Sequence, residues 1–111
     1  MENMKRLTTA LAVALLTAAG AHAQNLQRAG ELYSKGLYAE AMKEAAGAKG
    51  GDAEAFQALG ALQLKMAGAE EIAAGFLKKY HENVQVPQVR FLLAQNLFDE
   101  QRYEEAADQL R

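Results

Sequence analysis

The sequence predicts an all-α fold, a stack of about three helical hairpins, and three observations carry that prediction. Residues Gln24 to Arg111 are rich in alanine, leucine, glutamate, lysine and glutamine, all strong helix formers. β-branched residues are scarce there: Val84, Val86 and Val89 are the only valines, and threonine is absent. Glycine, Asn83 and Pro87 break the helical stretches at regular intervals.

Residues 1–23 read as an export signal. Lys5 and Arg6 form a basic head, and Leu7 to Gly20 follow without a charge. Ala21-His22-Ala23 places small residues one and three positions before a cut ahead of Gln24, the pattern a signal peptidase recognises. A cut after Ala21 also satisfies that rule. The apolar run is shorter than the roughly 20 residues a spanning helix needs, so no stable membrane span is expected after cleavage. The expected destination is outside the cytoplasm: the periplasm, with the extracellular space as the alternative. Lys5-Arg6 is not a twin arginine, which favours general secretion in the unfolded state.

Residues 24–111 then form one small helical domain. The first helix is expected over Asn25 to Lys35, stopping at Gly36, a residue suited to the left-handed cap. A second spans about Tyr38 to Ala48 and ends at Gly50-Gly51. Asp52 reads as the N-cap of a third helix that reaches Met66, with Phe56, Leu59 and Leu62 or Gln63 at helical spacing. Gly68 breaks it. A fourth, from about Glu70 to Tyr80, places Ile72, Phe76, Leu77 and Tyr80 on one side. Pro87 opens a fifth helix through about Phe98, because a first turn tolerates a missing N–H. Val89, Leu92, Leu93, Ala94, Leu97 and Phe98 cover much of its circumference, so neighbours must clamp it from two sides. The sixth begins near Arg102.

Composition excludes several function classes. The formal net charge is −2 for the whole sequence and −3 once Glu2, Lys5 and Arg6 leave with the signal. Both signs are interspersed, with no basic stripe to neutralise phosphates, so no nucleic-acid partner is expected. There is no cysteine, which rules out disulfides, thiolate metal sites and lipidation at the cleavage point. One serine (Ser34), one histidine (His81) and no threonine remain after the signal. Ser34 falls in the last turn of the first helix and His81 in a later loop, a poor basis for a nucleophile–base pair. His81 reads as a helix-end residue beside terminal carbonyls. The pairs Glu70-Glu71, Asp99-Glu100 and Glu104-Glu105 read as solvated helix ends, since adjacent residues on a helix diverge by about 100°. No histidine–carboxylate cluster has metal-ligand spacing, and no glycine-rich loop cradles phosphate. The expectation is a protein that is not an enzyme, with no catalytic residues, metal or cofactor.

The helices also repeat. Gly36-Leu37-Tyr38-Ala39-Glu40-Ala41, Gly68-Ala69-Glu70-Glu71-Ile72-Ala73 and Gln101-Arg102-Tyr103-Glu104-Glu105-Ala106 start 32 and 33 residues apart. That period, with a turn inside each unit, marks a helix–turn–helix solenoid. Residues 25 to 111 resemble the tetratricopeptide repeat family, in approximate hairpins 25–48, 52–80 and 86–111. Ala29, Gly60 and Ala94 match its small residue in the first helix. Tyr38 and Tyr103 match its aromatic after the turn, and Ala41, Ala73 and Ala106 its small residue early in the second helix. Glu70 replaces the aromatic in the middle unit, and the usual proline after each second helix is missing. The stretch from Phe76 to Leu110 also resembles exported repeat proteins of Gram-negative envelopes.

The resemblance implies a concave face, lined by the first helix of each hairpin, that takes a protein or peptide partner, here an envelope protein. Aligned on the small residues, the inward positions are Tyr33, Gln57, Ala61, Leu64, Lys65, Gln95 and Phe98. Gln57 and Gln95 suit a peptide backbone, Tyr33, Leu64 and Phe98 supply apolar area, and Lys65 suits a carboxylate. The last hairpin carries Tyr103, Ala106, Ala107 and Leu110 without a polar capping helix. The expectation is continuation of the protein beyond Arg111, as the front of a larger envelope enzyme or transport component, or self-association through that uncapped hairpin.

Overall fold

A computed structural model describes residues 20–111, and every regular element among them is a helix. In chain order, α1 covers residues 20–34, α2 Tyr38–Ala45, α3 Gly51–Gln63, α4 Ala69–Lys79, α5 Val86–Asp99 and α6 Tyr103–Gln109. The first helix therefore runs through Ala21-His22-Ala23, the expected cleavage site; the rest of the expected signal lies outside the described residues. No helix among the described residues is long and apolar enough to cross a membrane.

From α2 to α6 each helix packs on its neighbours in sequence, and α3 also packs on α5. Among the described residues α2 does not reach α4, and neither α3 nor α4 packs on α6. α3 sits at the centre, against α2, α4 and α5, and is buried around its whole circumference through Ala53, Ala55, Ala58, Leu59, Gly60, Ala61 and Leu62. Such a helix tolerates few large side chains, because every direction is occupied by a neighbour. α5 is the second buried helix, through Val86, Val89, Leu92, Leu93, Ala94 and Leu97. One contiguous apolar core joins these residues to Ala73 and Phe76 of α4 and Ala106 of α6.

α3 lies tight against α2 at Gly60. A Cβ there would sit 2.6 Å from Met42 Sδ, closer still to Met42 Cγ, and 3.3 Å from the Tyr38 carbonyl oxygen. The small residue read from the sequence is thus where α3 presses on α2.

The turns inside the three hairpins close in one way. Leu37, Met66 and Arg102 donate their N–H to Leu32, Ala61 and Leu97 at 2.9, 3.0 and 2.9 Å. Gly36, Lys65 and Gln101 donate to Tyr33, Leu62 and Phe98. These paired bonds are the Schellman closure of a helix C-terminus, which needs a left-handed residue. Gly36, Lys65 and Gln101 supply it, with φ of 78°, 53° and 64°.

The middle turn departs from the sequence reading. α3 ends at Gln63, not Met66, because Lys65 takes the left-handed position early; a second left-handed residue, Gly68 (φ 81°), then caps the start of α4. α2 likewise stops at Ala45, before Ala48. Asp52 is not the cap of α3: Gly50 (φ 104°) holds that position, and Asp52 Oδ1 accepts a bond from Asn83 Nδ2 at 3.0 Å. Asn83 Oδ1 also accepts from the Gln85 N–H at 2.9 Å, so one side chain pins the entry to α5 against the start of α3. Ile72 is more exposed than its place on the expected apolar side of α4 implied; Phe76 is buried and Leu77 and Tyr80 are half-buried.

Side-chain bonds also join the hairpins. Gln63 Nε2 donates to the Tyr33 hydroxyl at 3.0 Å, and Asn96 Nδ2 to the Leu62 carbonyl at 3.2 Å. Gln57 Nε2 donates to the Met42 carbonyl at 2.6 Å. No buried side-chain nitrogen or oxygen among the described residues lacks a partner.

Gly60→Ala is expected to lower stability by about 1–2 kcal/mol in urea unfolding, overpacking outweighing the better helix propensity of alanine. Met42→Ala in the same chain should recover part of that loss, since it removes the atoms the new methyl meets. At the turns, Gly36→Ala should cost about 1–2 kcal/mol, whereas Gln101→Gly should be neutral or stabilising by up to about 1 kcal/mol, because L-residues pay to be left-handed.

Candidate functional site

An apolar groove of about 660 Å³ lies between the end of α3, the flank of α5 and α6. Phe91 and Phe98 project from α5, Tyr103 and Leu110 from α6; they are 47%, 60%, 54% and 62% exposed. Four large apolar side chains on one face are an unfilled surface, not scattered exposure. Phe98 and Tyr103 meet edge-on, with ring centroids 5.0 Å apart at 64°. Tyr33 and Tyr38 hold the same arrangement in the first hairpin, 5.1 Å apart at 60°. There, Phe56 of α3 covers the pair, its ring 6.2 Å from Tyr33. Gln95 and Asn96 supply the groove's polar edge, although Asn96 is already bonded to Leu62.

Charge is concentrated at the turn beside the groove. Arg102 makes two bonds to Glu70, from Nη1 at 2.6 Å and Nη2 at 3.0 Å, one from Nη1 to Glu100 at 3.2 Å, and one from Nε to Glu105. The Glu70 bonds, then those to Glu105 and Glu100, hold the guanidinium more firmly charged than usual. The Arg102 bond in turn holds the Glu105 carboxyl below the usual carboxylate range. Glu70, where the sequence reading expected an aromatic, thus adds an ion-paired tie between the middle hairpin and the last.

Asp99 and Glu100 lie at an exposed helix end, as the sequence reading had them. They close α5 at its C-terminus, where the helix dipole disfavours negative charge. Lys65, 2.8 Å from Asp99, and Arg102 supply the cations that offset this.

Of the seven residues read as inward-facing, Lys65, Gln95 and Phe98 line the groove. Ala61 does not face solvent: it is fully buried where α3 is clamped, and it is withdrawn as a contact residue. Tyr33 belongs to the packing of α1, α2 and α3, with its hydroxyl taken by Gln63. Gln57 is half-buried, and its amide already serves Met42. Leu64 is exposed but does not line the groove. Lys65 meets the carboxylate of Asp99 in its own chain. Phe91 was missed, although it precedes Ala94 by the same three residues that separate Gln57 from Gly60.

Ser34 spends its hydroxyl on the Glu31 carbonyl at 2.7 Å, and His81 lies exposed in the loop after α4. No group of three or more histidine, aspartate or glutamate side chains among the described residues is arranged to hold a metal. Comparison with protein-family models, with curated proteins and with solved structures finds no match.

Acid should loosen the Arg102 turn first. A carboxyl whose folded pKa is depressed stabilises the fold above its unfolded value, near 4.5 for Glu105, and loses that contribution as pH falls through the folded value. Thermal melts from pH 6 to pH 3 should therefore show Glu105→Gln with a lower melting temperature than the parent at pH 6. The difference should shrink toward pH 3.

Proposed function

We propose that this chain is an exported, non-catalytic adaptor of tetratricopeptide-like architecture that binds a protein or peptide partner of the cell envelope through its last hairpin. The observation that carries the reading is the apolar groove beside α5 and α6, where four large side chains stay uncovered, whereas Phe56 lies against Tyr33 in the first hairpin. Recessed aromatic surface with a few polar groups at its edge is the usual makeup of a binding hot spot.

Three features support the repeat. Left-handed residues recur in the three intra-hairpin turns, at Gly36, at Lys65 and Gly68, and at Gln101. The three intra-hairpin turns share one hydrogen-bond closure. Between α2 and α6, packing runs only between helices close in the chain, which fits a stack better than a closed bundle. The basic head, apolar run and small-residue site support export.

Expression of the full sequence in a Gram-negative host should yield a periplasmic product whose mass places its N-terminus at Gln24 or His22. An uncut cytoplasmic product overturns export. Tagged protein incubated with envelope extract should retain specific proteins, and Phe91→Ser with Phe98→Ser should lose them while circular dichroism stays helical. Equal retention by parent and variant overturns the groove as the binding face.

A further inference from the structure

A cut ahead of Gln24 makes a glutamine the first residue of the mature chain and of what remains of α1. A terminal glutamine carries a nucleophile and an electrophile on one residue. Its α-amine can reach its own side-chain carboxamide and close a five-membered ring, and the short tether makes that step unimolecular. The fold leaves both groups accessible. Gln24 is exposed, as are residues 21–23, whereas Asn25 is half-buried. A Cβ on Gly47 would sit 2.6 Å from Asn25 Nδ2, so at Asn25 α1 already presses on the turn after α2. The packed body therefore begins one residue inside the cut, and Gln24 lies just outside it. The charges nearby act in the same direction. Beyond Gln24 the first carboxylate on α1 is Glu31, while Arg28 stands one turn away. Glu44 of α2 is paired with that arginine at 3.8 Å. An ammonium at residue 24 would face Arg28 and the positive end of the α1 dipole, and both disfavour its charge. The neutral amine is the attacking form, and an α-amine with an ordinary pKa of about 8 already supplies some of it at neutral pH.

We infer that Gln24 is a modification site: after the cut its α-nitrogen attacks its own side-chain carbonyl carbon, and the mature chain begins with pyroglutamate. This rests on the export reading and names the chemistry of the terminus that export creates. The bond from the α-nitrogen to Cδ forms as the bond from Cδ to Nε2 breaks. One proton of the amine passes to the departing nitrogen, which leaves as ammonia. No oxidant, reductant or co-reactant is consumed. The product is a neutral lactam, so the uncompensated positive charge at the start of α1 disappears. No free α-amine remains for an aminopeptidase to recognise. The lactam also keeps one N–H at the helix start, where a donor needs no partner within the helix.

The test uses the exported product of cells expressing the full sequence, beside Gln24→Asn, whose shorter side chain would have to close a strained four-membered ring. Both products are held for a day at neutral pH and growth temperature, then read by intact mass and by stepwise N-terminal degradation. The parent should be lighter than residues 24–111 by the mass of one ammonia and should yield no N-terminal sequence. Pyroglutamyl aminopeptidase should then remove residue 24 and expose Asn25. The Gln24→Asn product should keep its full mass and a free amine, and a general aminopeptidase should trim it while sparing the parent. A parent that begins at Gln24 with its full mass and a free amine overturns the inference and leaves export standing. So does a parent that begins at His22. Equal loss of ammonia from the Gln24→Asn product also overturns it, because the loss then arises elsewhere in the chain. An uncut chain overturns the inference and export together.

Discussion

A helix with partners on three sides must present small residues where they press closest, and α3 meets that demand with Ala53, Ala55, Ala58, Gly60 and Ala61. Their side chains add little width, which lets α2, α4 and α5 pack closely on α3. Leu59 and Leu62 supply the bulk that keeps the centre dry. The rest of the molecule follows from this clamp. Met42 folds over Gly60 because nothing larger stands there, and Gln57 reaches a backbone carbonyl on α2 because the two helices lie so close. Once α3 is fixed, α5 has one flank committed to it and the other facing the groove.

Much of this was legible in the residues. Helix-forming composition, the scarcity of β-branched side chains and the interrupting glycines signal an all-helical chain, and the elements lie close to their expected places. Ala29, Gly60 and Ala94 are buried where a small residue was expected. Errors fall at the ends of helices, where local signals compete. Asp52 has the chemistry of an N-cap, but Gly50-Gly51 reaches the required backbone first and leaves the carboxylate to Asn83. Met66 looked like a continuation of α3, yet Lys65 turns left-handed before it; no residue-type preference foretells a lysine in that position.

The site was less legible, for a physical reason. Register on one helix says which residues share a side, but not which side a neighbour will cover. Ala61 and Gln95 occupy the same register, and only the arrival of α5 against α3 buries the first while the second stays open. Lys65 and Gln57 carry polar groups suited to a ligand, but both are engaged within the chain. Phe91 was overlooked because an apolar residue in an apolar helix reads as core. What distinguishes it is a missing neighbour, which is a property of the assembled stack.

The packing order has a dynamic consequence. Because α6 rests on α5 alone, with the Arg102 ion pairs as its main tie to α4, little of the core is lost when it detaches. Opening free energies in such a chain fall from the centre toward a loosely held end, so amide protons of Tyr103 to Gln109 should exchange with solvent well before those of α3. A ligand lying across α5 and α6 would first have to catch that last helix closed. Part of the interaction energy would therefore go into immobilising it, and occupancy would register as slowed exchange at α6 rather than as a change of shape.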